Sequence, residues 1–485
     1  MRSILPFAGA LLVSQIAFVA GAAWDIQWHY AIGRDRPFIP PHLLLLSGIA
    51  LTGVIALAGV LRWSVMAARG APHDRAAPDV AYGRHPNVRL FRLFHAPLGF
   101  YLAGLGALSS ALAFPWDDYW HRVYGIDVTL WAPFHVMIIG GMAFATLGTV
   151  HLFAAAAPVA PTTSRVGMAL GWASVAAIFL LLQAQALDRE GILALRPVAI
   201  VVFPPLLVAL TVPWLIAAAL SSPFAGGATA AALALTLLRP ALMAFVPWAL
   251  RWAAALEGQR VRETSMAIIA TPAAFPALVL VAGMLIDLAW HAIRSGRLSV
   301  RTMPALMATG ALAGLALGVL DRPWERTLPA VRGGQSLDVG MALVSSLPAV
   351  IVVGALGAVY GTVLGASLLH RPDSRRATPV LYAILAALSV AGVWTGVLAL
   401  AGTIGPAPLP VARMLGVAST VAAPVWLGWT IGLIPVWGLL AFVASQTPAA
   451  RNALASHSYR LRMQTAAGLF ETRGAASPIL TQRHT

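Results

Sequence analysis

The chain has 485 residues, of which 59% are hydrophobic and 10% charged, with a mean hydropathy of +0.80. That balance excludes a soluble globular fold and leaves a polytopic integral membrane protein. The net charge of +15 comes from arginine alone, since lysine is absent; cysteine is absent too, which excludes disulfides, iron–sulfur clusters and thiolate metal sites.

In chain order, about twelve apolar segments of membrane-spanning length can be counted. They start near residues 4, 41, 93, 131, 166, 198, 226, 265, 302, 340, 377 and 417. The expected fold class is therefore all-α, a polytopic transmembrane helical bundle. The first segment, preceded by Arg2 and followed by small residues, could be a signal peptide; its length favours an uncleaved first helix.

The stretch from Arg62 to Arg92 holds six arginines and the tail from Arg451 onward holds five. The positive-inside rule places both, and the two termini, in the cytoplasm of a cell with the chain in its inner membrane. Residues 24–40 and 115–130 then fall on the outer, periplasmic side. Arg251, Arg260 and Arg262 break the pattern, because helix counting makes their loop external; either the helix before them is re-entrant or the rule fails locally over residues 226–264. In a soluble protein so basic a balance would raise nucleic-acid binding. Arginines confined to short loops set topology instead, so no nucleic-acid partner is expected. Residues 1–160 form a four-helix membrane unit, and 161–485 supply further transmembrane helices with few polar landmarks.

Two stretches stand out. "WDIQWHYAIGRDRPFIPPH" runs from Trp24 to His42, and "WDDYWHRVYGIDVTLWAPFH" from Trp116 to His135. Both read W-D-x-x-W-H-x-x-x-G-x-D, followed by an aromatic residue, a Pro and a His. Asp25, His29 and His42 are spaced 4 and then 13; Asp117, His121 and His135 are spaced 4 and then 14. A spacing of four puts Asp and His on one helix face. A Pro then starts the next helix and brings its first-turn His back toward the pair.

Each triad is a 2-His-1-carboxylate set with coordination positions left open, as a catalytic metal site requires. That set suits copper and non-haem Fe(II) alike. A single His near a membrane interface is more often part of an aromatic and capping belt; two matched triads favour metal. Trp28, Asp35, Trp120 and Asp127 are the candidates to surround the ligands and orient them. A shorter copy, "DLAWH", makes Asp287 and His291 a possible third site. A degenerate fourth, Asp321 to Glu325, reads as structural.

The first stretch resembles the copper-site segment of a membrane subunit of the particulate methane and ammonia monooxygenases, the copper membrane monooxygenase family. That segment has Asp-x-x-Trp-His, then Arg-Asp, then Phe-x-Pro-x-His. The resemblance gives Asp25, His29 and His42 the family's copper-ligand roles. The second stretch is similar to a neighbouring metal site in that same family member, with Asp117 where the family has Asn. The resemblance covers about the first 150 residues.

It implies a copper-dependent membrane monooxygenase, or one component of such an enzyme, that activates O₂ to hydroxylate a small apolar substrate. An external electron donor and other monooxygenase-type subunits would be its partners, with the bilayer delivering the substrate. The rival expectation is a metal transporter or copper-handling membrane protein without oxygenase activity.

Overall fold

A computed structural model describes residues 4–33, 36–69, 87–90, 93–124, 133–183, 192–195, 198–201, 203–222, 224–263, 276–295, 302–320 and 339–367. The segments starting near 377 and 417, Asp35, Asp127 and the Asp321–Glu325 copy lie outside these residues. So do the side chains of Trp120 and His121.

The first helix, α1 (Leu5–Ala31), has Pro in its first turn, and α2 (Pro40–Ala68) opens on Pro40-Pro41, where a missing N–H and a preset φ are an advantage. Gly33, at φ +73°, turns the chain between them, in a left-handed conformation that favours glycine. A short hairpin of β1 (Asn87–Leu90) and β2 (Phe94–Pro97) leads into α3 (Leu98–Tyr124). Its antiparallel register pairs Asn87 with Pro97 and Leu90 with Phe94.

Next come α4 (Pro133–Ala156) and α5 (Pro161–Leu180). A second hairpin, β3 (Ile192–Leu195) with β4 (Val198–Val201), precedes α6 (Phe203–Ala209) and α7 (Val212–Ser221). The remaining described helices are α8 (Gly227–Leu256), α9 (Val279–Arg294), α10 (Thr302–Leu315), which runs on into a π-turn, and α11 (Val339–Ser367). Among the described residues seven helices are long and apolar enough to cross a membrane. The protein is a membrane-embedded helical bundle, to which the two hairpins are small additions that hydropathy alone does not reveal.

The α1–α2 and α3–α4 pairs are packed through small residues, which let backbones approach where lipid supplies no hydrophobic drive. A Cβ on Gly21 would stand 2.6 Å from the Leu45 nitrogen, and one on Gly48 2.7 Å from the Ser14 carbonyl. Between α3 and α4, Gly99 and Gly148 meet in the same way. Polar groups buried in the bundle tie helices together: Ser14 with Thr52 at 2.7 Å, Gln15 to Thr149 at 2.8 Å, and Ser110 to the Ile138 carbonyl at 2.8 Å.

The helix α8 is continuous over 30 residues, not re-entrant. Its Phe245 meets Trp24 edge-on at 5.9 Å, and beyond its end the Arg262 N–H donates to the Ala31 carbonyl at 3.0 Å. Arg251, in the last turns of α8 and not in the loop expected from the sequence, and Arg260 and Arg262 beyond it therefore sit at the end of the bundle where the first Asp-His-His stretch lies. Helix counting gives the same placement; the arginine distribution does not. Exposed Trp248 and Trp252 stack on each other at that end of α8, as anchors at a membrane–water boundary do.

Candidate metal centre

The last turns of α1 carry Asp25 and His29, one turn apart, and the first turn of α2 carries His42. The close approach of Gly21 to Leu45 lies about one turn deeper in both helices and sets how near the two ends stand. Oδ1 of Asp25 is 3.4 Å from Nε2 of His29 and 3.2 Å from Nε2 of His42. One ligand atom from each of the three residues lies within 4.8 Å of the other two. Metal–ligand bonds of about 2.0–2.2 Å at tetrahedral or octahedral angles separate neighbouring ligand atoms by roughly 3–3.5 Å. Two of the three separations already match.

The protonation chemistry fits a cation as well. Nδ1 of His42 is 3.1 Å from the Arg36 carbonyl; a carbonyl only accepts, so Nδ1 carries the proton. In the neutral ring Nε2 then has a bare lone pair, and it faces Oδ1 of Asp25. Two lone pairs at 3.2 Å repel unless a positive charge lies between them. Oδ1 is buried with the two imidazole Nε2 atoms as its neighbours; a proton on a ring or a bound ion supplies the positive charge between them. The Arg36 carbonyl does for His42 what an outer partner does for a metal-bound imidazole: it fixes the tautomer and the ring orientation.

Trp28, next to His29 in the chain, is 1% exposed. Phe114 of α3 packs edge-on against the His42 ring, centroids 5.8 Å apart at 90°. Phe114 lies one turn before Asp117, so α3 brings the second stretch to the same end of the bundle as the first.

Asp117 is 6% exposed, and its Oδ1 is 3.2 Å from Nε2 of His135 in the first turn of α4. The second stretch thus forms the same carboxylate–imidazole pair between consecutive helices. Among the described residues, only Asp25, His29 and His42 form a complete cluster of three potential ligands.

Asp287 does different work. Its carboxylate accepts the backbone N–H groups of Ala228, at 3.2 Å, and Thr229, at 2.7 Å, together with the Thr229 hydroxyl at 2.6 Å. Both oxygens are engaged at the N-terminus of α8, and His291, one turn on, is exposed. The structure shows a helix cap built across two helices at the place where sequence similarity suggests a third site.

Sequence reasoning misses three contributors: the Arg36 carbonyl, Phe114 and Arg262. Gly33 bears on the last, since a Cβ there would stand 3.2 Å from the Arg262 guanidinium.

Compared with known proteins, the chain matches no protein-family model, no curated protein and no solved structure.

Proposed function

We propose that the chain is a membrane metalloprotein in which Asp25, His29 and His42 hold a copper ion, with non-haem iron the alternative metal. The observation that carries this reading is the convergence of two imidazole nitrogens on one buried carboxylate oxygen. Asp117, His121 and His135 form a second, related site. The resemblance to the copper membrane monooxygenases extends the proposal to O₂ activation and hydroxylation of an apolar substrate, by this chain or by an assembly containing it. Both sites face the outer side of the inner membrane in this reading, and an external donor supplies electrons.

A bound copper or iron would provide reversible O₂ binding and one-electron chemistry. The rest falls to the chain's own groups. Asp25 contributes the negative charge that offsets the ion, and His29 is held at helical spacing beside it. His42 presents Nε2 because the Arg36 carbonyl keeps its proton on Nδ1. Phe114, packed on the His42 ring, excludes water from that side, so polar contacts between protein and ion act in a medium of lowered dielectric.

The transporter reading draws less support. The mid-bundle polar contacts Ser14–Thr52 and Gln15–Thr149 join hydroxyls and an amide; they tie helices together and offer no row of acids or imidazoles for an ion to follow.

Elemental analysis of protein purified into nanodiscs tests the proposal, with Asp25→Ala/His29→Ala and Asp117→Ala/His135→Ala variants alongside. Copper lost stepwise in the two variants supports both sites and justifies hydroxylation assays. Iron in its place moves the chemistry to a non-haem oxygenase. Wild-type protein that takes up neither metal after reconstitution overturns the reading.

A further inference from the structure

The helices α2 and α3 leave an open groove between their middles, with a volume of about 500 Å³. Along α2 it runs from Ile49 to Val60, and along α3 from Phe100 to Ala111. Eleven residues of helix rise about 16 Å, so the groove is long and narrow. Small residues make its floor: Gly53 faces Ala107 and Gly104 faces Ala56. At one end the Phe100 ring fills the space beside Gly59. Past the other end, one turn beyond Ala111, stands Phe114, the residue whose ring packs on His42.

Two features limit what can lie there. The outer lips, Val54, Leu57 and Leu108, are 64%, 56% and 52% exposed, so the groove opens sideways into the apolar part of a bilayer. Its lining is aliphatic or aromatic throughout, with Tyr101 the one residue bearing a polar group, and the Tyr101 hydroxyl is itself buried. The groove also starts nine residues into α2 and ends eight before its last. It is centred on the span, with nothing in its lining to grip a lipid headgroup at either membrane surface.

We propose that this groove binds an unbranched alkyl molecule of about ten to twelve carbons, without a headgroup. An extended chain advances roughly 1.3 Å for each C–C bond of about 1.5 Å, and that length matches the groove. The volume also falls within the ordinary range for small-molecule sites. A chain lying in the groove points one end at Phe114, and so at the Asp25–His29–His42 cluster behind it. The proposal deepens the metal reading, on which it rests for what would happen to that chain end: the substrate class becomes a medium-length linear alkane, larger than a gas molecule. The binding step does not need the metal.

The absence of cysteine makes a clean test possible. Single cysteines replace Ala111, which lines the groove, or Leu112, its lipid-facing neighbour, and each carries a trifluoromethyl label in nanodiscs. On titration with n-decane, the ¹⁹F shift saturates at position 111 and drifts without saturation at 112. Adamantane, of equal carbon number but globular, binds at least about tenfold more weakly at 111. Adding Ala50→Trp, a change at the exposed lip of the groove, removes the saturable shift and leaves copper content unaltered.

An unsaturable response at both positions overturns the proposal, and so does an equal response to adamantane. A groove already filled by a co-purified phospholipid chain that decane does not displace overturns it as well. Copper and iron measured on the same samples separate the two readings. Bound copper or iron with no saturable decane shift removes the groove proposal alone; a saturable shift with neither metal bound removes the metal proposal alone.

Discussion

Oδ1 of Asp25, near the end of α1, lies 3.2 Å from Nε2 of His42 at the start of α2. Asp117 and His135 repeat that distance between α3 and α4. Two consecutive helix hairpins therefore end in the same carboxylate–imidazole contact. Phe114 against His42 joins the first of these ends to the second helix pair. A charged group within the membrane is costly by about 3 kcal/mol on insertion scales, which makes a partner for each carboxylate the main physical requirement of this end of the bundle.

If a cation meets that requirement, Asp25→Asn keeps the shape of the side chain and removes the charge that holds the ion. Even outer-shell changes at metal sites cost about 10- to 100-fold in affinity, so a ligand change is expected to lower affinity by at least that factor. His42→Ala should do the same. Competition titration with a chelator on folded, nanodisc-embedded protein measures the effect. Unchanged affinity in both variants means these residues are not ligands.

At the second hairpin, Asp117→Asn/His135→Ala should release its own ion and leave the Asp25 site loaded. The contacts that place His42, from Arg36 and from Phe114, do not involve the altered side chains. Electron paramagnetic resonance of the copper-loaded protein distinguishes the two environments. One set of signals should vanish while the other keeps its parameters; a change in every signal would show that the sites are built as one.

The spacing of the helices is open to a direct test with two glycines on α1. A Cβ on Gly21 would strike the α2 backbone at Leu45, whereas one on Gly9 meets nothing within 4 Å. Overpacking a close helix contact costs about 1–3 kcal/mol. Gly21→Leu should therefore lower thermal stability and abolish metal uptake by prising His42 from Asp25. Gly9→Leu should change neither. Metal uptake that survives Gly21→Leu would show that the site tolerates a wider gap between α1 and α2 than the backbone contact implies.

Much of this centre is legible in the chain itself, for local reasons. A spacing of four between Asp25 and His29 carries the helical period, and Pro40-Pro41 marks where the next helix begins, so the return of His42 follows from short-range rules. Phe114 and Arg262 carry no such mark. Their places depend on which helices pack side by side, and the apolar pattern of α3 and α8 is the same whichever neighbour each one meets. The hairpin at Asn87–Pro97 escapes for another reason, since four-residue strands beside an arginine-rich stretch leave little periodicity to read. Asp287 shows the limit of motif similarity: "DLAWH" repeats the letters of the first stretch, but what its carboxylate binds is decided by the helix end that arrives beside it.

That helix end gives the last prediction. Gly226 precedes α8 with φ +85° and no side chain to cap the first turn, so its free N–H groups need an acceptor from elsewhere. Asp287 of α9 supplies it, and its negative charge also complements the positive end of the α8 dipole. Asp287→Ala should destabilise the protein by about 0.5–2 kcal/mol, the usual range for a lost N-cap, without any loss of bound metal. Thr229→Val removes only the 2.6 Å hydroxyl contact and should cost about 0.5–1.5 kcal/mol. Because both changes act on one cap, their effects should fall short of additive in the double variant. Thermal or denaturant unfolding in a lipid-like medium, with metal content measured in parallel, checks all three. A stability unchanged by Asp287→Ala, coupled to loss of an ion, would make Asp287 a ligand and the cap incidental.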